Sequence, residues 1–181
     1  MVNGEPFYFG NRRIDSVFSH RIFRSQPYLS FIAGARGYTF GQHHIWFFDK
    51  DDPFKNFENN TGIYWHDKLD SEGTQWAVRA ADIFKTLEWW KFIPDPSIIL
   101  EGRGYGTEET VACRTPDHSV ILIYFPTNTK AQIDLSITGK DQLELTWYKT
   151  DESIKTSQTV KSDQNILRPP EGWEDALLII K

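Results

Sequence analysis

The 181-residue chain is 39% hydrophobic and 25% charged, an ordinary globular composition with enough length to bury a core in one large or two small domains. A net charge of −5 leaves no basic surface for nucleic acid or anionic lipid, and the single cysteine, Cys113, excludes an internal disulfide and a cysteine-rich zinc site. The distinguishing number is the aromatic content, 15% with seven tryptophans, which can fill a core or form flat platforms under sugar rings.

The opening, MVNGEPFYFGNRR, lacks the basic-then-apolar layout of a signal peptide, and no apolar run anywhere approaches the roughly 18 residues of a membrane span. VNGEPFYF reads as a strand running into a loop. In IDSVFSHRIFRSQPYLSFIAGA, Ile14, Val17, Phe18 and Ile22 have helical spacing, Asp15 is placed to cap the start and Gly34 to stop the end. Pro27 either kinks one helix or opens a second short one. GARGYTFGQHHIW follows, with GYTF a short buried strand that puts Tyr38 and Phe40 on one face and Thr39 on the other.

His43 and His44 invite a metal reading. Adjacent residues on an extended chain point opposite ways, and no HExxH or third ligand stands at a recognisable spacing, so no metal and no cofactor is assigned. Residues 47 to 73 form a long polar-aromatic connection. Its Asp49, Asp51 and Asp52 lack the glycine and glutamate of an EF-hand loop and read as a solvated acidic stretch, and Asn59-Asn60-Thr61 is a sequon at chance frequency. The clearest helix is TQWAVRAADIFKTLEWW, where Trp76, Ala80, Ile83, Phe84 and Leu87 make one apolar stripe.

Beyond Pro94 the helical period disappears. PDPSIIL, ETVACRT, SVILIYF, AQIDLSI, QLELTWY, SIKTSQTV and ALLIIK are strand-like runs separated by turn residues. Ile133, Leu135 and Ile137 alternate with polar neighbours, as do Leu143, Leu145 and Trp147, which predicts one buried and one wet face in a small antiparallel β-sandwich. The chain therefore divides into an α/β piece, residues 1–93, and an all-β domain, residues 94–181. Two βα units leave open sheet edges and half a core, so the first piece reads as the tail of a larger α/β barrel, its remainder on a longer chain or a partner.

Several segments, in order, resemble the C-terminal part of the apiosidase-like glycoside hydrolases, a (β/α)8-barrel group followed by a β-sandwich labelled a collagen-binding domain of a collagenase. They are NGEPFY, Arg24 in the next helix, AGARGYTFGQHHIW, WHDKLDSEGTQW, LEWWKFIPDPSII, VILIYFPTNTKAQIDLS, LTWYKT and EGWEDALLIIK. The resemblance implies α/β plus all-β architecture, the last two βα units of a TIM-like barrel and then the sandwich. NGEPFY would be the seventh barrel strand, GYTFG the eighth, and residues 74 to 88 the last barrel helix. It also implies a carbohydrate substrate of plant or pectic type, and full-length relatives that are exported bacterial enzymes.

Side chains at the C-terminal ends of barrel strands line the active site, and Glu5 matches the family's strand-end glutamate. Glycoside hydrolysis uses two carboxylates, in retaining enzymes a nucleophile and an acid/base roughly 5–5.5 Å apart. Glu5 is assigned as the nucleophile, its partner lying on an earlier strand, so the chain alone should be inactive. The family pattern often continues with a second acid after the tyrosine, where this chain has Phe9. Asn3 and Tyr8 are candidates to hydrogen-bond sugar hydroxyls or Glu5, a turn role for Asn3 being the plainer alternative. Arg24 faces the pocket mouth or makes a surface salt bridge. His43 and Trp46 follow the GYTF strand and would form a substrate-facing rim, whereas Trp65, Trp89 and Trp90 suit packing between barrel and sandwich. The competing functional reading is a non-catalytic β-sandwich module binding carbohydrate or protein, for which an exposed aromatic row on one face would be the mark.

Overall fold

A computed structural model of the protein describes residues 1–4, 6–10, 18–46 and 65–181. Glu5, the start of the first expected helix with Asp15, and the stretch holding Asp49, Asp51, Asp52 and the Asn59 sequon lie outside the described residues.

Two parallel segments open the chain. The backbone amide of Asn3 donates to Gly37 O and Thr39 N donates to Asn3 O; farther along, Phe9 N donates to Gly41 O and His43 N to Phe9 O. These bonds make two isolated parallel bridges, Asn3 with Tyr38 and Phe9 with Gln42. Among the described residues the expected strands thus pair at single positions. Five residues lie between the bridges on one side and three on the other, so the two bridges are out of step for a continuous ladder. Pro6, inside the longer side, has no N–H to contribute.

Helix α1, His20–Ile32, is one helix with Pro27 inside it. Pro27 cannot donate to Phe23 O, and the neighbouring Gln26 Nε2 lies 3.5 Å from that carbonyl. Gly34, at φ 90°, follows the helix in the left-handed conformation that its position suggested. Helix α2, His43–Trp46, is a single turn directly after the second segment. Helix α3, Glu72–Lys85, begins two residues earlier than the apolar stripe indicated, because Ser71 caps it by accepting from Thr74 N at 3.4 Å. Trp76, Ala80, Ile83, Phe84 and Leu87 are all buried, as the stripe requires.

The rest is strand. The elements are β1 Ile93–Pro94, β2 Ile99–Glu101, β3 Val111–Arg114, β4 Ile121–Phe125, β5 Ala131–Ile133, β6 Gln142–Lys149, β7 Lys155–Lys161, β8 Ile166–Leu167 and β9 Ala176–Ile180. One six-stranded sheet runs β1-β3-β4-β9-β6-β7 and a three-stranded sheet runs β2-β5-β8, with every pairing antiparallel. AQIDLSI is shorter as a strand than its alternation suggested. Asp134 accepts from Ser136 N at 3.1 Å and Ser136 Oγ at 2.6 Å, turning the chain into a 3₁₀ turn over Ser136–Thr138.

The expectation of one wet face holds for β6, where Leu143, Leu145 and Trp147 are buried between exposed or half-buried neighbours. It fails for β4 and β9, which are buried on both faces. Ile121, Ile123, Phe125, Ala176, Leu178 and Ile180 join the core between the two sheets. Their alternates Leu122, Tyr124, Leu177 and Ile179 join a second core with Tyr28 and Ile32 of α1 and Ala80, Ile83 and Phe84 of α3. The large sheet is therefore the middle layer of three, with helices on one face and the small sheet on the other. Among the described residues no helix is long and apolar enough to cross a membrane.

Candidate active site and the helix-sandwich junction

The strand ends meet around Phe9, Gln42 and α2. Gln42 is buried; its Oε1 accepts from Ser71 Oγ at 3.0 Å, and its Nε2 lies 3.2 Å from His44 Nδ1. The α3 cap is thereby tied to the end of the second parallel segment. His43 and His44 are both buried and belong to a helical turn, not to an extended segment, with ring centroids 5.9 Å apart and nearly perpendicular. The expected opposite orientation on a strand does not apply, and His43 is 8% exposed. Among the described residues no cluster of three His, Cys, Asp or Glu side chains could hold a metal.

Tyr8 and Trp46 do come together. Their rings meet edge to face with centroids 5.5 Å apart, and Trp46 is 59% exposed. The Tyr8 ring lies so close over Gly41 that a Cβ there would stand 2.3 Å from it. Only glycine admits that approach. Phe9, where the family pattern often has a second acid, points instead into an aromatic cluster with His20, Phe23 and Trp76, at centroid distances of 5.3 to 5.4 Å. Gly73 gives the Phe9 and Phe40 rings the same close approach against α3.

The segment that follows Glu5 has an unusual partner. Phe7 N donates to Gln26 Oε1 at 2.7 Å, and Gln26 Nε2 donates back to Phe7 O at 3.3 Å. A side-chain amide on α1 thus satisfies both main-chain groups of a residue that makes no ladder bond there. Asn3 takes part through its backbone, while its Nδ2 donates to Ser30 Oγ of α1 at 2.8 Å. Through that bond the side chain anchors the strand segment to the helix.

Arg24 does not make the surface pair that was one of its two expected roles. Its guanidinium is 4% exposed, donates Nε and Nη2 to Asp175 Oδ1 at 3.0 and 2.6 Å, and reaches Thr150 Oγ1 at 3.0 Å and Glu174 Oε2 at 2.7 Å. It also sits 5.4 Å from the Trp76 ring centre. Burial works against the cation, but the bond and charge of Asp175 outweigh it and hold the guanidinium protonated. Asp175 Oδ2 accepts from Tyr124 Oη at 2.6 Å, and Tyr124 stacks on Tyr28 at 5.2 Å with the planes 8° apart. Burial first, and then the Asp175 charge, push both tyrosine hydroxyls up. The Arg24-Asp175-Tyr124 network joins the helix after the Glu5 segment to the sandwich.

Neither Gln26 nor Asp175 was singled out from the sequence, and Tyr124 stood out only as a sandwich aromatic. The continuous runs ILIYF and ALLII were the available signal, since fully apolar strands mark a sheet covered on both faces. Trp89 packs on Phe31 as a junction residue, with centroids 5.3 Å apart, whereas Trp90 is 52% exposed.

The family model described as "Apiosidase-like, catalytic domain" matches residues 1–91, half of the chain. The chain belongs to the apiosidase-like family. A second model, "Putative collagen-binding domain of a collagenase", matches residues 93–181. Among solved structures, a glycoside hydrolase family 5 protein from Bacteroides vulgatus ATCC 8482 is similar over 99% of this chain and 40% of its own, with TM-score 0.84 and 21% identity. A second structure, described as a glycoside hydrolase, is similar over 99% of this chain and 41% of its own, with TM-score 0.76 and 21% identity. No curated protein matches. The chain spans about two fifths of the length of the solved relatives. Its fold is the C-terminal piece of such a protein, the last two βα units of a TIM-like barrel followed by a β-sandwich.

Proposed function

We propose that the chain is the part of a glycoside hydrolase acting on plant or pectic-type polysaccharide that supplies the catalytic nucleophile, Glu5. The acid/base carboxylate comes from an earlier barrel strand, so the chain alone does not hydrolyse its substrate. Tyr8 and Trp46 form the aromatic edge of the sugar site, and His43 lies with them at the end of the second strand as a further substrate-binding residue. The observation that carries this reading is the pairing of the Asn3–Phe9 segment with Tyr38–Gln42: parallel, as in a barrel, with two residues in excess on the side that holds Glu5. Irregular pairing next to an active site is a common means of re-aiming a side chain.

Burial of the sandwich aromatics supports this over a free-standing binding module. Tyr124 and Phe125 point to opposite faces and both are fully buried, one against the helices and the other in the sandwich core. Trp147 is buried as well, and the expected exposed aromatic row is not found among the described residues. The test is to join the chain to the N-terminal barrel portion of a family member and assay pectic and other plant polysaccharides. Release of reducing sugar by the joined protein and none by the chain alone is the expected result. A joined protein that folds and hydrolyses none of the panel would reject the reading.

A further inference from the structure

A groove of about 590 Å³ lies between the outer face of α3 and the β6–β7 hairpin and shares no lining residue with the strand-end site. Its apolar floor combines Val78 and Ile83 of α3 with Tyr148 and Ile154 of the hairpin. Val78 is 53% and Ile154 46% exposed, while Tyr148 packs in part against the core behind it. Amide and hydroxyl groups of Gln75, Thr74 and Ser153 stand around this floor.

The charges at the rim are unevenly satisfied. Two of the acids are ion-paired, Asp82 with Lys85 and Glu152 with Lys149, whereas Asp70 accepts only from the neutral Gln75 amide at 3.3 Å among the described residues. Two cations have no carboxylate partner among those residues. Arg79 donates only to neutral oxygens, Thr150 O at 3.1 Å and Ser153 Oγ at 3.3 Å, and Lys155 has no carboxylate within 4 Å among the described residues. Those two bonds hold the Arg79 guanidinium in place without neutralising it. An apolar floor that accepts a ring face, neutral groups for hydroxyls and two uncompensated cations form a combination that suits one ligand class.

We propose that this groove binds an acidic oligosaccharide, with a uronate carboxylate at Arg79 and Lys155 and a ring face on Val78, Tyr148 and Ile154. The choice of sugar over acidic peptide rests on the glycoside hydrolase reading above. The site is non-catalytic and would hold an acidic polymer chain on the enzyme.

The test is made on the chain itself, following backbone amide shifts as tetragalacturonate, its methyl ester and tetraglutamate are added in turn. The acid should perturb amides of 74–86 and 148–155, and the ester should bind about tenfold more weakly. Lys155→Ala, which removes no side-chain bond among the described residues, should weaken the acid several-fold with an unchanged melting temperature, and Arg79→Gln should weaken it further. No shifts in the groove, equal binding of tetraglutamate, or full affinity in Lys155→Ala would each overturn the proposal. The hydrolase reading fails separately, through an inactive joined protein, because groove binding needs no barrel completion.

Discussion

Arg24 on α1 and Asp175 at the entry to β9 stand 151 residues apart in sequence and share two hydrogen bonds in a buried junction. Removing one partner of such a pair strands the other charge away from water, which costs about 3–5 kcal/mol. Arg24→Met is therefore expected to lower stability by that order in urea unfolding at pH 7. The double variant Arg24→Met with Asp175→Asn should recover part of the loss, since no bare charge remains. Additive losses would mean that the two residues do not act as a pair.

The stacked tyrosines give opposite expectations for the same substitution. Tyr124 Oη donates to Asp175, so Tyr124→Phe should cost roughly 1.5–3 kcal/mol, the scale of a hydrogen bond to a charged group. Tyr28 Oη is buried and has no hydrogen-bond partner among the described residues. Tyr28→Phe removes an unsatisfied hydroxyl and should be neutral or stabilising by up to about 1 kcal/mol. Thermal unfolding of both variants checks the contrast.

Gly41 connects the candidate site to its packing. Gly41→Ala places a methyl inside the Tyr8 ring, so the ring must move and its contact with Trp46 is lost. A loss of about 1–3 kcal/mol is expected, the range for overpacking. Tyr8→Ala should reverse most of it when combined with Gly41→Ala. A change in Trp46 fluorescence in the single variant would report the altered contact.

Asp95 supplies a pH signature. Bonds from Ser97, at 2.5 Å from Oγ and 3.2 Å from the backbone amide, and Arg114 Nε at 2.7 Å from Oδ2 hold its carboxyl below the usual carboxylate range. A folded value below the unfolded one of about 3.9 contributes stability that is complete above that pH and is lost as the pH falls through the folded value. Asp95→Asn should therefore cost on the order of 1 kcal/mol at pH 7. The gap from the parent should close on acidification below about pH 4.

Local pattern made much of the fold legible. The stripe from Trp76 to Leu87 marked α3, and the alternation from Leu143 to Trp147 marked the core face of β6. What lay hidden depended on pairing across long sequence distances. Arg24 looked like an exposed cation because nothing near it in sequence reveals that Asp175 and Thr150 surround it. His43 and His44 looked like strand residues because a single helical turn of HHIW has no periodicity to read. Gln26 looked like an ordinary helix residue, because nothing near it in sequence points to its bonds with Phe7.

Glu5→Gln in the joined barrel tests the central claim most directly, by measuring kcat on the polysaccharide that the joined protein hydrolyses. Loss of an attacking carboxylate should lower kcat by more than about 10³-fold, while the substitution leaves the melting temperature unchanged. Azide, a small anionic nucleophile, should restore turnover in the variant. Activity equal to that of the parent would remove Glu5 from the mechanism and contradict the assignment.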